Sequence, residues 1–139
     1  MTANEIISKV DALQPNQYSF EQKLGWLSQV DGEIFKDVIL THHHPSKRIM
    51  ERAYRDPDNR HNMIYSDYES GDDVLIVGKP YADNLYVYYL QAMIAMENSE
   101  IAKYSQYSSL YNSAYVSWAG HYNRDHVPLH ARGGNRFRF

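Results

Sequence analysis

The chain has 139 residues, 22% of them charged, with a formal net charge of −3. It is long enough for one domain with a real core, and its balance of charge excludes a nucleic-acid binder working by bulk positive charge. There is no cysteine, which excludes disulfides, thiolate nucleophiles and cysteine-ligated metals. No apolar run approaches the ~20 residues that span a bilayer. The N-terminus lacks the basic and apolar regions of a signal peptide, as expected of an intracellular protein.

Thr2-Ala-Asn-Glu5 has the spacing of a capping box, and Ile6, Ile7, Val10 and Leu13 then form one apolar side, predicting a helix over 3–13. Pro15 ends it, because proline disfavours helical geometry in the residue before it. Ser19-Phe-Glu-Gln22 is a second capping box. It opens a longer helix over 19–43 whose stripe is Leu24, Leu27, Val30, Ile34 and Val38, widened by Trp26, Phe35 and Ile39. Gly25 and Gly32 weaken that helix by roughly 1 kcal/mol each relative to alanine, and suit close approach of another helix. Residues 46–53 suit a short turn of helix, and Asp56-Pro-Asp-Asn59 reads as a tight turn. Met63–Tyr68 and Val74–Val77 are β-prone runs around Glu69-Ser-Gly-Asp-Asp73, which predicts a hairpin within 63–78.

From Pro80 to Asn123 the chain holds nine of its thirteen tyrosines and no further proline. Leu85, Tyr89, Met93 and Met96 follow helical spacing, and Tyr104, Tyr107, Tyr111, Tyr115, Trp118 and Tyr122 resume it. Glu97-Asn-Ser-Glu100 interrupts the stripe, so the stretch is two helices, 81–97 and 99–123, or one long helix bent there. Two antiparallel helices would bring Leu90 and Met93 near Tyr104–Tyr111. Tyrosine buries a large ring yet keeps a hydroxyl that needs a partner or water. The stripe therefore suits a subunit interface, and equally a wet-edged core of a small domain. After Asn123, His126-Val-Pro128 breaks the helix. Residues 127–139 read as an extended arm with three arginines, no acid and a Gly133-Gly134 pair. The expected fold class is mainly all-α: a helical bundle over 1–126 with a minor hairpin, followed by this arm.

Candidate chemistry is sparse. Three consecutive histidines, His42–His44, point in different directions on a helix and do not converge on one ion; a helix C-terminus, where histidine is favoured, accounts for them. Asp56, Asp58, Asp72 and Asp73 sit at turn signals. There is no phosphate-binding glycine loop, G-x-S-x-G or H-E-x-x-H. Lys47, Arg48, Arg52, Arg55 and Arg60 are interleaved with acids, as on a solvated face with local ion pairs. No enzyme, catalytic residue, metal site or cofactor is indicated.

Val10-Asp-Ala-Leu-Gln-Pro-Asn-Gln-Tyr18 with Gln22-Lys-Leu-Gly-Trp-Leu27, Leu75-Ile-Val-Gly-Lys-Pro-Tyr81 with Leu85-Tyr86, Tyr111-Asn-Ser-Ala-Tyr115 and Tyr122-Asn-Arg-Asp-His126 span nearly the whole chain. Together they resemble the head–tail connector, or neck adaptor, proteins of tailed phages and prophages of Gram-positive bacteria. The resemblance implies a structural virion protein at the neck, present in the host cytoplasm during assembly. It implies a homo-oligomeric ring beneath the portal that matches the portal's twelvefold symmetry. Such a ring extends the DNA channel and offers a platform to a stopper or tail-completion protein. DNA would pass without specific binding, which an overall negative charge suits. No membrane is involved. The Asn135-Arg-Phe-Arg-Phe139 end departs from typical members. By position and composition, Arg132, Arg136, Phe137, Arg138 and Phe139 are candidates for a portal-docking arm. The competing readings are another neck or tail-completion component, which would be β-rich, and a small helical DNA-binding regulator, which needs a basic recognition helix that the sequence lacks.

Overall fold

The computed structural model describes residues 1–129. Its helices are α1 (Ala3–Leu13), α2 (Phe20–Asp37), α3 (Lys47–Met50), α4 (Ala82–Glu97) and α5 (Ile101–Asp125), with a 3-10 turn at Ile39–Thr41 and strands β1 (Ala53–Asp56) and β2 (Asn59–Tyr65). The mainly all-α class expected from the periodicity is what the chain adopts.

Both capping boxes form. The Thr2 hydroxyl accepts from the Glu5 amide at 3.3 Å while the Glu5 carboxylate accepts from the Thr2 amide. Ser19 and Gln22 repeat the exchange at 3.2 and 3.0 Å. Each box satisfies two of the amides that a helix start leaves without partners.

α2 ends at Asp37, six residues short of the expected 43. The Thr41 hydroxyl donates to the carbonyls of Val38 and Asp37, and the His42 ring occupies the Val38 carbonyl at 2.6 Å. Side chains thus take the acceptors that a further helical turn would need.

The hairpin is real but lies earlier than expected. β1 pairs antiparallel with β2, Ala53 facing Tyr65 and Arg55 facing Met63. Its turn is the Asp56–Asn59 tetrapeptide, where the Asp56 carboxylate accepts from the Asp58 amide at 2.9 Å. Val74–Val77 is not a hairpin strand. Leu75, Ile76 and Val77 are all buried, which a half-exposed strand's alternation forbids. Their amides donate instead to the Met1 carbonyl, the Asp31 carboxylate and the Tyr86 hydroxyl.

α4 is the central element, buried on most sides and packed against α1, α2 and α5. It and α5 are two helices, not one bent rod. Ser99 adopts φ 59°, and the Ser99 and Glu100 amides donate back to the carbonyls of Met96 and Ala95 at 3.1 and 2.9 Å. This is the bond pair of a Schellman termination, with serine at the left-handed position usually held by glycine. α5 then returns antiparallel along α4, with the rings of Tyr89 and Tyr111 5.3 Å apart, as the break required.

Candidate functional site

Three features stand out: a buried carboxylate, the foot of α5, and its outward face. The first lies inside α2. Leu27, Asp31 and Ile34 share one face of the helix, so the acid is carried into the core with the apolar stripe. Asp31 is fully buried. Its carboxylate accepts from the hydroxyls of Tyr68 and Tyr86, the latter at 2.5 Å, and from the Ile76 amide at 3.0 Å. The Tyr86 hydroxyl accepts in turn from the Val77 amide at 2.9 Å, and the Tyr68 amide donates to Ser28.

One side chain thereby ties α2 and α4 to the segment 66–77. Burial pushes the Asp31 pKa up to about 6, against the opposing pull of the Tyr68, Tyr86 and Ile76 donors. Burial and the carboxylate together hold the Tyr86 and Tyr68 hydroxyls protonated, far above the usual phenol range. Arg52 closes the same segment from outside. Its guanidinium donates to the carbonyls of Ser66 and Asp67 and lies 4.9 Å from the Tyr68 ring centre. It is half-buried, a clasp within the fold where the sequence suggested a solvated face. Sequence reading passed over Asp31; the available signal was an acid in phase with Leu27 and Ile34.

At the foot of α5, His42 is buried, not solvated as its triplet suggested. Its Nδ1 donates to the Val38 carbonyl, and its Nε2 lies 2.5 Å from the Asn123 side chain. The Tyr122 ring stands edge-on to His42 and stacks on His126 at 3.9 Å. Beside these rings is a cavity of about 160 Å³, floored by Ile39, Ile76 and Trp118. The backbone joins the His42 segment here: the His43 amide donates to Val127 and the Leu129 amide to Thr41, at 2.8 and 2.7 Å. The start of the expected arm, 127–129, is therefore fastened to its own domain. The candidate docking residues Arg132, Arg136, Phe137, Arg138 and Phe139 lie outside the described residues.

The tyrosine stripe of α5 is divided. Trp118 and Tyr122 are buried in the chain's own core, so they are core residues and not interface candidates. Tyr107, Tyr111 and Tyr115 are half-buried, and Tyr104 is exposed. The rings of Tyr111, Tyr115, Trp118 and Tyr122 follow one another at 5.4 to 6.3 Å, a ladder along the seam with α4. Burial raises the pKa values of Tyr111, Tyr115 and Tyr122 and pushes that of Tyr89 up to about 12. The other side of α5 faces away. Ile101 is 79% exposed and Val116 67%, and Tyr104, Ser105, Ser108, Ser109 and Asn112 line a depression between them. From Tyr104 to Gly120 there is no Asp, Glu, Lys, Arg or His. No protein-family model, curated protein or solved structure matches the chain. Among the described residues no three His, Cys, Asp or Glu are grouped to hold a metal ion, and no helix is long and apolar enough to cross a membrane.

Proposed function

We propose that the chain is a structural head–tail connector subunit of a tailed phage or prophage. In this reading it forms a ring beneath the portal, extends the DNA channel and carries the stopper or tail-completion protein. The observation that carries an assembly role is α5: 25 residues long, with two of them buried and no charged residue from Tyr104 to Gly120. A helix meant for water ordinarily carries charge on its outer face. The sequence resemblance then names the assembly. The alternative of a β-rich neck component has no support where the described residues hold one short two-stranded hairpin.

The structural features suit this role. The Asp31 clamp and the Schellman turn make a rigid two-helix core, and the bridge at Thr41–His43 fixes where residue 129 leaves it. In the proposed ring Arg132, Arg136, Phe137, Arg138 and Phe139 dock on the portal, and DNA passes without specific contact. No catalytic step is assigned to the chain.

The test is genetic and biochemical. A nonsense mutation in the chain's own gene should leave DNA-filled heads and complete tails that fail to join, and purified chain added to the lysate should restore joining. Normal tailed particles in the mutant would remove the reading.

A further inference from the structure

We propose that the outward face of α5 is one half of a head-to-tail contact between copies of this chain. Its receiving surface on the next copy is the exposed face of α2 around Gly25, Gln29 and Gly32. The inference rests on the ring reading above and names the two unlike faces that a ring requires.

The charge pattern decides what α5 can receive. With no cation between Tyr104 and Gly120, the face lacks the positive charge on which affinity for nucleic-acid phosphates chiefly rests. With no acid between Tyr104 and Gly120, it has no ion-pair partner for the arginines of the arm. Its centre is serine and asparagine, not the bulky apolar stripe bordered by lysine and arginine that lies in a lipid surface. What fits is another protein face, uncharged at its centre and built to be approached closely.

α2 supplies one. Glycine is the poorest helix former after proline, yet Gly25 and Gly32 both sit inside α2. A Cβ added at either would meet nothing within 4 Å among the described residues. No neighbour among the described residues needs these glycines, and the close approach they permit is offered to a partner. They lie two turns apart on one side of the helix, with Gln29 exposed between them. Glu21, Glu33 and Lys36 of α2, with Asp67 and Glu69 of the neighbouring segment, all exposed, border this uncharged centre as a polar rim.

Area explains why two unlike faces are needed. At 1.5 Å per residue the charge-free stretch 104–120 is about 25 Å long, and a strip about 10 Å wide offers on the order of 250 Å². A stable complex buries about 800 Å² per partner. A free pair held by this contact alone is therefore weak. A closed array, in which each copy is gripped on both sides and seated on a common support, gains from multivalency.

The absence of native cysteine makes the test clean. Single-cysteine variants Ser109→Cys and Gln29→Cys are mixed at high concentration and oxidised. The expected result is a mixed 29–109 dimer at least tenfold more abundant than either homodimer. Predominant 109–109 dimers would mean a symmetric α5 pair and would overturn the proposal, as would a statistical mixture or no cross-link. Adding Gly25→Ala and Gly32→Ala to the Gln29→Cys chain should raise its Tm by several degrees, because alanine favours the helix. The same change should cut the mixed dimer at least tenfold. Undiminished yield would overturn the role of α2. If the chain forms a ring at the particle neck but never cross-links 29 to 109, this inference fails and the ring stands. If the chain is absent from particles while the cross-link forms, the ring beneath the portal fails and the contact stands.

Discussion

Replacing Asp31 with asparagine tests the clamp at the centre of the fold, and pH makes the test quantitative. The carboxylate satisfies three buried donors: the Tyr68 and Tyr86 hydroxyls and the Ile76 amide. Asparagine keeps one acceptor and presents an NH₂ where the other stood; a tyrosine hydroxyl can rotate to accept from it. The substitution therefore costs about 1–3 kcal/mol where the wild-type acid is neutral. The pH term acts on the wild type alone. Asp31 titrates at 3.8 in the unfolded chain and at about 6 in the fold, a difference of about 2 units or about 3 kcal/mol. Because the folded value is the higher, this stabilisation is fully present below pH 3.8 and is lost as pH rises through about 6. Glu5 and Glu100, whose pKa values are lowered, act in the opposite sense, but equally in both proteins. Urea unfolding followed by circular dichroism from pH 4 to pH 7.5 isolates the difference. The penalty of Asp31→Asn should shrink by about 2.4 kcal/mol across that range, enough to carry a small penalty through a change of sign. Parallel stability curves, or a penalty that grows with pH, would refute the reasoning.

Three further outcomes follow from the geometry. Ser99→Gly relieves the left-handed residue of the Schellman turn and should stabilise the chain by about 1 kcal/mol, read as a rise in Tm. Gly71→Ala places a Cβ 2.0 Å from the Asn4 side chain and should destabilise by about 1–2 kcal/mol. Since the obstacle is that side chain, Asn4→Ala should remove most of the penalty in a double-mutant cycle, and additive effects would place the cost elsewhere. Deleting residues 131–139 should abolish portal docking in a pull-down while moving Tm by less than about 2 °C, because every described helix and strand lies within residues 1–129. Normal docking by the truncated chain would rule out the arm as the anchor.

The legible parts of the fold were those written locally. Capping boxes pair residues three apart, and the stripes of α2 and α4 repeat within a turn, so both could be read directly. The break at Glu97–Glu100 was visible because polar residues stood where the stripe should pass. The hairpin was misplaced because Leu75–Val77 has strand-like composition whatever binds its amides. Their partners, Met1, Asp31 and Tyr86, are brought by the tertiary fold. Asp31 and Tyr86 are 55 residues apart, and nothing local to either announces the other. Local pattern marks His42 only as a helix-end residue, because its partner, Asn123, lies 81 residues away. In α5 the sequence showed the tyrosine side, most of which belongs to the seam with α4. The side available for assembly is marked by a lack of charge, a negative pattern easily overlooked beside so many rings.

The most direct test of the connector account is an electron cryomicroscopy map of the particle neck, refined with the portal's symmetry and fitted with residues 1–129. The account predicts a closed ring of copies directly beneath the portal, with the α4–α5 pair recognisable in each subunit and density from residue 129 running toward the portal. A portal joined directly to tail components, with no density that accommodates this fold, would contradict it.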